Sequence, residues 1–441
     1  MQTDPPITGI SVSAGRSSRR AAIAATAPSS TTATLRILGD GIRRWAGPSA
    51  IALVLFEGMV RTFIYSPRPQ VYDRHLGEVP APGSTWVNGR EGLGHIHWNQ
   101  QGIRGRDLPA AGAGKVHRIV VMGDSFTEAE GVNDNQTYCA RLEDRLSQRL
   151  RQDVWVGNCG RPALDAADYL YYLPAFEKRF HPELIVITYN LSDFRVSKHL
   201  ICGVTAQFDP AAAFGHGLIV QPLSQSKEDA LLDKNAPRPV ARLAHGLIDH
   251  SGLALYGAAR LYAMHWRKWA KDKFITQVDQ IATVEQMERY FASMIAISKT
   301  PIACAYVAPR NPISESNNHW DQITERRLMI ATARLKIPYV DSSGAFRQYF
   351  ARTGQPANGF SNTVEGPGIG HLNAEGHRVV AETMAPAIER LLAERWGLHR
   401  LRVAQWQAHA RWPGIETPVC TRTKPTVVGS APQARVPTAR G

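Results

Sequence analysis

Short apolar runs of four to seven residues, rich in Val and Ile, recur through the middle of this chain with longer amphipathic stretches between them. HRIVVM occupies 117–122, VWVGN 154–158, ELIVITY 183–189, PIACAYV 301–307 and IPYV 337–340. Helical periodicity runs through about 134–150, 162–180 and 320–335, and Asn373 is placed to cap a last long helix reaching about Arg395. Runs that are apolar at consecutive rather than alternate positions suit strands covered on both faces, and the stretches between them are long enough to cross over a sheet. The pattern predicts an α/β fold, a three-layer α/β/α sandwich with a parallel central sheet. In such sheets ligands gather beyond the carboxyl ends of the strands, so chemistry is sought there.

The first strand runs directly into Gly123-Asp124-Ser125-Phe126 and then into a helical stretch. A serine at a strand-to-helix turn is presented at the carboxyl edge of the sheet, and its own N–H lies among the unpaired donors that open a helix. Gly123 relieves crowding there, and Asp124 can bond back to the loop. Taken alone, the tripeptide is more commonly the capping turn of an ordinary βα connection than a nucleophile's turn. Its neighbours add weight. The second strand ends in Asn158-Cys159-Gly160, the third in Asn190-Leu191-Ser192-Asp193, and Gly370-His371-Leu372-Asn373 stands just before the last helix. A serine hydroxyl needs a base within reach and donors around a developing oxyanion, and all of those groups fall at strand ends.

In these motifs the chain resembles the GDSL/SGNH hydrolases, in particular their membrane-anchored bacterial envelope members. GDSFTEAEGV, NCG, the third strand with its closing SDF, and HLNAEGHRVVAE stand in that family's order and approximate spacing, over about residues 90–395. The resemblance implies a flavodoxin-like order of strands, Ser125 as nucleophile and His371 as general base. It also implies oxyanion donors from Ser125 and Gly160, with Asp124 and Asp193 in support. Two departures stand out. Ser192 occupies the position of the family's oxyanion asparagine, with Asn190 two residues earlier as an alternative donor. No carboxylate occupies the two or three positions before His371, which leaves Glu365, Asp341 or a backbone carbonyl to orient it. His377 is the competing base, six residues on, where a packed or capping histidine is common. His95 and His97, with Trp98, read as loop residues rather than metal ligands, and no metal or cofactor is expected.

The ends of the chain differ from its middle. Of a net charge of +13, roughly +4 lies before residue 66 and roughly +6 after residue 395, with about +3 between. The plainest account is solvated basic tails; an anionic lipid surface is the alternative, and a nucleic-acid groove in the folded body is not expected. Residues 1–34 are rich in Ser, Thr and Ala and read as disordered, as does 396–441. Residues 35–66 hold the uncharged run WAGPSAIALVLF, preceded by Arg36, Arg43 and Arg44. That arrangement predicts an uncleaved transmembrane signal anchor, the N-terminus in the cytoplasm and the 67–395 domain in the periplasm or otherwise outside. A buried or interfacial helix is the competing reading, because Pro48, Glu57 and Arg61 interrupt the run. Residues 66–116 read as a loop-rich lead-in, and 199–300 as a less regular insertion, helical from about Arg238. Five cysteines show neither paired nor zinc-like spacing, and Cys139, Cys159 and Cys304 fall in apolar segments.

The functional expectation is a serine esterase acting through an acyl-enzyme on acyl esters of an envelope polysaccharide or lipid. Transfer of the acyl group to a carbohydrate hydroxyl is the near alternative. A non-catalytic envelope binding protein with the same fold is the more distant one, motivated by the two departures.

Overall fold

A computed structural model describes residues 30–395, less 74–75, 111–114, 163, 191–192, 195–197, 202–203, 209–217, 314–317, 364 and most of 223–280. The chain enters through helix α1 (Ser30–Phe63) and two antiparallel hairpins. These pair β1 (Gln70–Asp73) with β2 (Gly77–Pro80), and β3 (Thr85–Asn88) with β4 (Gly94–His97). Strands β5 (Val116–Gly123), β6 (Asp153–Gly160) and β7 (Leu184–Tyr189) follow. After a separate antiparallel sheet of β8 (Lys198–Ile201), β9 (Val204–Phe208) and β10 (Leu218–Pro222) come β11 (Ile302–Tyr306) and β12 (Tyr339–Asp341). The helices are α2 (Ser125–Glu128), α3 (Tyr138–Leu150), α4 (Ala166–Phe180), α5 (Val284–Ile297), α6 (Asn318–Arg334), α7 (Ser343–Thr353) and α8 (Ala374–Arg395). By internal contacts the chain divides into units Met1–Met384 and Ala385–Gly441, the second described only as the end of α8.

Five strands form the central sheet in the order β12-β11-β7-β5-β6, every neighbouring pair parallel. Both faces are covered, as the unbroken apolar runs require. Val120, Met122, Trp155, Ile185, Ile187 and Cys304 pack with Tyr172 and Phe176 of α4 and Met287 and Phe291 of α5. Their alternates, among them Ile119, Val121, Val186 and Ala305, are just as buried. In sequence order of its strands the sheet reads 2-1-3-4-5, the flavodoxin-like arrangement. Connections from β5 and β6 leave on opposite sides, so the sheet's switch point lies at the carboxyl end of β5 beside β7.

Several elements differ from the sequence reading. The lead-in at 66–116 carries two hairpins rather than loops, and His95 and His97 belong to strand β4. Their strands are only four residues long, too short to show alternation. What holds the second hairpin is a stacked pair, Trp86 and Trp98, with ring centroids 5.7 Å apart. Helix α4 begins at Ala166 rather than 162, because Asp165 caps it by accepting from Ala167 N at 2.8 Å. Helix α7 was not anticipated. Within 199–300 the described residues hold β8–β10 and α5; most of the helix expected from Arg238 lies outside them, as do 1–29 and 396–441.

Helix α1 stands where the anchor is expected. Among the described residues, however, no helix is long and apolar enough to cross a membrane. The carboxyl-terminal part of α1 is engaged with protein. Glu57 pairs with Arg61 at 2.5 Å and accepts from Gly252 N at 2.6 Å and Leu253 N at 3.0 Å.

Candidate active site

The carboxyl end of β5 delivers Gly123, Asp124 and Ser125 to the switch point. Gly123 is required by space: a Cβ there would lie 1.8 Å from Thr127 Oγ1 and 2.2 Å from Thr188 Oγ1. Asp124 caps α2, its Oδ1 accepting from Phe126 N at 2.9 Å. Ser125 is the first residue of that helix, so its N–H is one of the opening donors with no acceptor inside the helix. The turn beyond α2 is fixed by Arg104, a buried guanidinium that donates to the carbonyls of Glu128 at 2.7 Å, Ala129 and Val132.

His371 lies before α8, and its Nε2 is 2.8 Å from Ser125 Oγ. Its Nδ1 is 2.5 Å from Glu91 Oε2, while its backbone N–H donates to Glu91 Oε1 at 2.8 Å. Glu91 sits at the tip of the β3–β4 hairpin, 280 residues upstream of the histidine it binds. A continuous chain from carboxylate to imidazole to hydroxyl is therefore in place. The imidazole keeps 38% of its side-chain surface exposed and the carboxylate 25%, so the pair opens to solvent on one side. Desolvation pulls the His371 pKa down, but the hydrogen bond and charge of Glu91, joined by the charges of Asp124 and Glu130, lift it to about 9. Burial works against the Glu91 charge, yet His371 and Arg90 hold its carboxyl below the usual range. Phe126 packs on the imidazole with ring centroids 5.0 Å apart.

The acid was not legible near the histidine. Asp341 Oδ1 instead accepts from Ser343 N at 2.8 Å at the start of α7, and Glu365 is exposed. One available signal was the segment Gly89-Arg90-Glu91-Gly92-Leu93-Gly94, a lone carboxylate among three glycines. Each glycine marks a close backbone approach: a Cβ would lie 2.3 Å from Ile64 O at Gly89, 2.3 Å from Gly131 O at Gly92 and 2.2 Å from Glu130 O at Gly94.

The expected oxyanion donors fare differently. Gly160 gives its N–H to Asn158 Oδ1 at 3.0 Å, so that donor is already engaged. Its glycine character serves packing, since a Cβ would lie 2.3 Å from Glu128 N. Asn190 donates from Nδ2 to Asp124 Oδ2 at 2.5 Å, which ties β7 to the nucleophile's turn. Asp193 accepts from Tyr169 OH at 3.0 Å and from Asn190 N, and is buried beneath the site. Ser192 lies outside the described residues. His377 is buried, stacked on Tyr138, and its Nδ1 accepts from Tyr138 N at 3.3 Å; burial and neighbouring cations hold it neutral. Among the described residues no group of His, Cys, Asp and Glu is arranged to hold a metal ion.

No family model and no curated protein matches the chain. Among solved structures it is similar to an alpha/beta hydrolase enzyme from the metagenome of Lake Arreo, Spain, at 16% identity and a TM-score of 0.34, over 64% of this chain and 96% of that one. It is also similar to a catalytic mutant of an acetylxylan esterase from Geobacillus stearothermophilus, at 11% identity and a TM-score of 0.33, again over 64% and 96%. A member of the lipolytic protein G-D-S-L family from Veillonella parvula matches at 10% identity and a TM-score of 0.33, over 63% and 100%. Likenesses at this level decide nothing by themselves. The fold rests on the sheet's own order, and the site on its own distances.

Proposed function

We propose that this protein is a serine ester hydrolase of the GDSL/SGNH kind. The observation that carries the reading is the chain Glu91–His371–Ser125, closed by contacts of 2.5 and 2.8 Å at the sheet's switch point. In the proposed reaction Ser125 Oγ attacks the ester carbonyl carbon while His371 Nε2 takes the hydroxyl proton. Glu91 holds the imidazole with Nε2 toward the serine and offsets the positive charge it gains. The carbonyl oxygen, now carrying negative charge, faces the Ser125 N–H at the start of α2. Collapse expels the alcohol, which leaves with the proton from His371, and forms the acyl-enzyme. Water then attacks by the same route and releases the carboxylic acid. The non-catalytic reading drew on a missing acid and on Ser192; Glu91 Oε2, 2.5 Å from His371 Nδ1, answers the first, while Ser192 lies outside the described residues.

Acyl esters of a carbohydrate or lipid outside the cytoplasm are the substrate class proposed. Attachment to a membrane, though not the side of it, draws support from α1, where Ile51, Leu53, Val54, Leu55 and Phe56 are exposed and Arg43 and Arg44 precede them. An exposed apolar stretch of helix preceded by cations suits attachment to an anionic membrane surface.

The test is hydrolysis of p-nitrophenyl acetate and butyrate by the full chain beside Ser125→Ala and His371→Ala, with fluorophosphonate labelling of Ser125. Turnover in the wild type and at least a 10³-fold loss in each variant are expected. A folded wild type that neither turns over esters nor labels at Ser125 removes the proposal.

A further inference from the structure

We propose that Asn362 is a positioning residue for this site: its carboxamide clasps the tip that carries Glu91 to the loop that carries His371, and so sets how firmly the acid holds the base. The inference rests on the hydrolase reading above and adds to it a residue that touches neither substrate nor the reacting atoms.

Placing an acid two or three residues before its histidine lets one short loop hold both. Here the two come from hairpin β3–β4 and from the loop before α8, so something must join those segments. Asn362 Oδ1 accepts from Gly92 N at 2.9 Å, and Asn362 Nδ2 donates to Gly92 O at 2.7 Å and to Gly89 O at 3.1 Å. One side chain thus grips the backbone on both sides of Glu91. The fit around the clasp is close. At Gly92, with φ +74°, a Cβ would lie 2.6 Å from the Phe360 ring, two residues before Asn362, and at Gly370 a Cβ would lie 2.5 Å from Glu91 Oε1. Asn358 and Asn311 extend the brace on the histidine side: Asn358 Nδ2 donates to Gly370 O at 3.2 Å, and Asn311 Nδ2 to Gly368 O at 3.1 Å.

Loosening the tip lets the Glu91 carboxylate drift while Ser125 and His371 keep their own supports. Misplacement by about 1 Å is enough to cost on the order of 10²-fold in rate. Because Asn362 is exposed, its removal should leave the fold intact.

The experiment is a double-mutant cycle on ester hydrolysis with Asn362→Ala, Glu91→Gln and the pair, each followed from pH 5 to 10. In Asn362→Ala, kcat should fall about 10- to 100-fold with KM little changed, and the limb of kcat/KM near pH 9 should move toward neutrality as His371 loses its partner. Asn362→Asp keeps the acceptor for Gly92 N–H but loses both donors, and should fall between wild type and Asn362→Ala. In the Glu91→Gln background, Asn362→Ala should add no further loss. Equal losses in both backgrounds, or an unmoved pH limb, overturn the clasp while leaving the hydrolase reading intact. A wild type without turnover or fluorophosphonate labelling fails at the earlier step and takes the clasp with it.

Discussion

At Gly123 there is no room for even a methyl group. Thr127 Oγ1 and Thr188 Oγ1 sit 2.7 Å apart beneath it, and Tyr138 OH donates to both, at 2.7 and 3.1 Å. This buried hydroxyl cluster joins α2 and α3 to β7 under the nucleophile, and Thr188 Oγ1 donates to Met122 O at 3.0 Å. Gly123→Ala must push the cluster apart or lift the turn that presents Ser125. Overpacking of this sort costs about 1–3 kcal/mol. The urea midpoint should fall accordingly, and fluorophosphonate labelling of Ser125 should slow even at temperatures where the variant stays folded. A variant with unchanged midpoint and labelling would contradict the spatial argument. The glycine was legible in the sequence because a strand, a glycine and a serine in succession already specify a crowded turn. Glu91 was not, because a carboxylate 280 residues from its partner leaves no local pattern. Gly160 shows the opposite case: its motif position was clear, but in the fold Asn158 Oδ1 takes its N–H.

Among the elements, the long strands and helices were readable and the short ones were not. Strands β5, β6 and β7, buried along most of their length, announce themselves by unbroken runs of four or five apolar or small residues, 119–123, 154–157 and 184–187. Hairpin β3–β4 has strands of four residues, and its stability resides in the tertiary packing of Tyr65, Trp86, Ile96 and Trp98. Helix α1 lies between these cases. Its existence was readable, but its surroundings were not. Its end is tied to the body through Val60 and Tyr65, both buried, and through Glu57. Its middle exposes Leu53 at 60% and Leu55 at 68%, side chains that a water-facing helix would rarely present together. If this stretch meets a membrane surface, the full chain should float with vesicles containing phosphatidylglycerol, and less with neutral ones because Arg43 and Arg44 contribute. Leu53→Asp combined with Leu55→Asp should abolish flotation while leaving ester hydrolysis unchanged. Flotation undiminished in that pair would place the attachment elsewhere.

Across the whole molecule the sheet order puts the nucleophile at the one place where connections diverge, and it also gathers acids there. Asp124 and Asp193 are buried near one another, and burial raises the pKa of each. Asp168, fully buried in the first turn of α4, is pushed to about 9 by burial and by the charge of Asp165. Burial lifts Glu128 to about 8, with Arg68 opposing and Glu130 adding to the rise. Asp168 and Glu128 hold protons in the folded state that the unfolded chain releases near its ordinary carboxyl values of 3.8 to 4.5. A raised folded pKa contributes stability below the unfolded value, and that contribution is lost as pH climbs through the folded one. His371, raised to about 9, has the same sign. His377 has the opposite sign, since its folded pKa is depressed, but above the ordinary histidine value of 6.5 it is neutral in both states and adds no slope. From pH 6.5 to 9 these shifts therefore act together. Relief of net positive charge over that range works against them. Those charges sit mainly toward the chain ends, where 0.15 M salt screens beyond about 8 Å, so the buried acids should dominate. The urea midpoint should fall steadily from pH 6.5 to 9. Asp168→Asn keeps an acceptor for the Asp165 N–H, bonded at 2.9 Å, but has no proton to lose, and should flatten the decline. A midpoint that holds level or rises over this range in the wild type would mean that these acids are ionised in the folded protein, with partners for their charge.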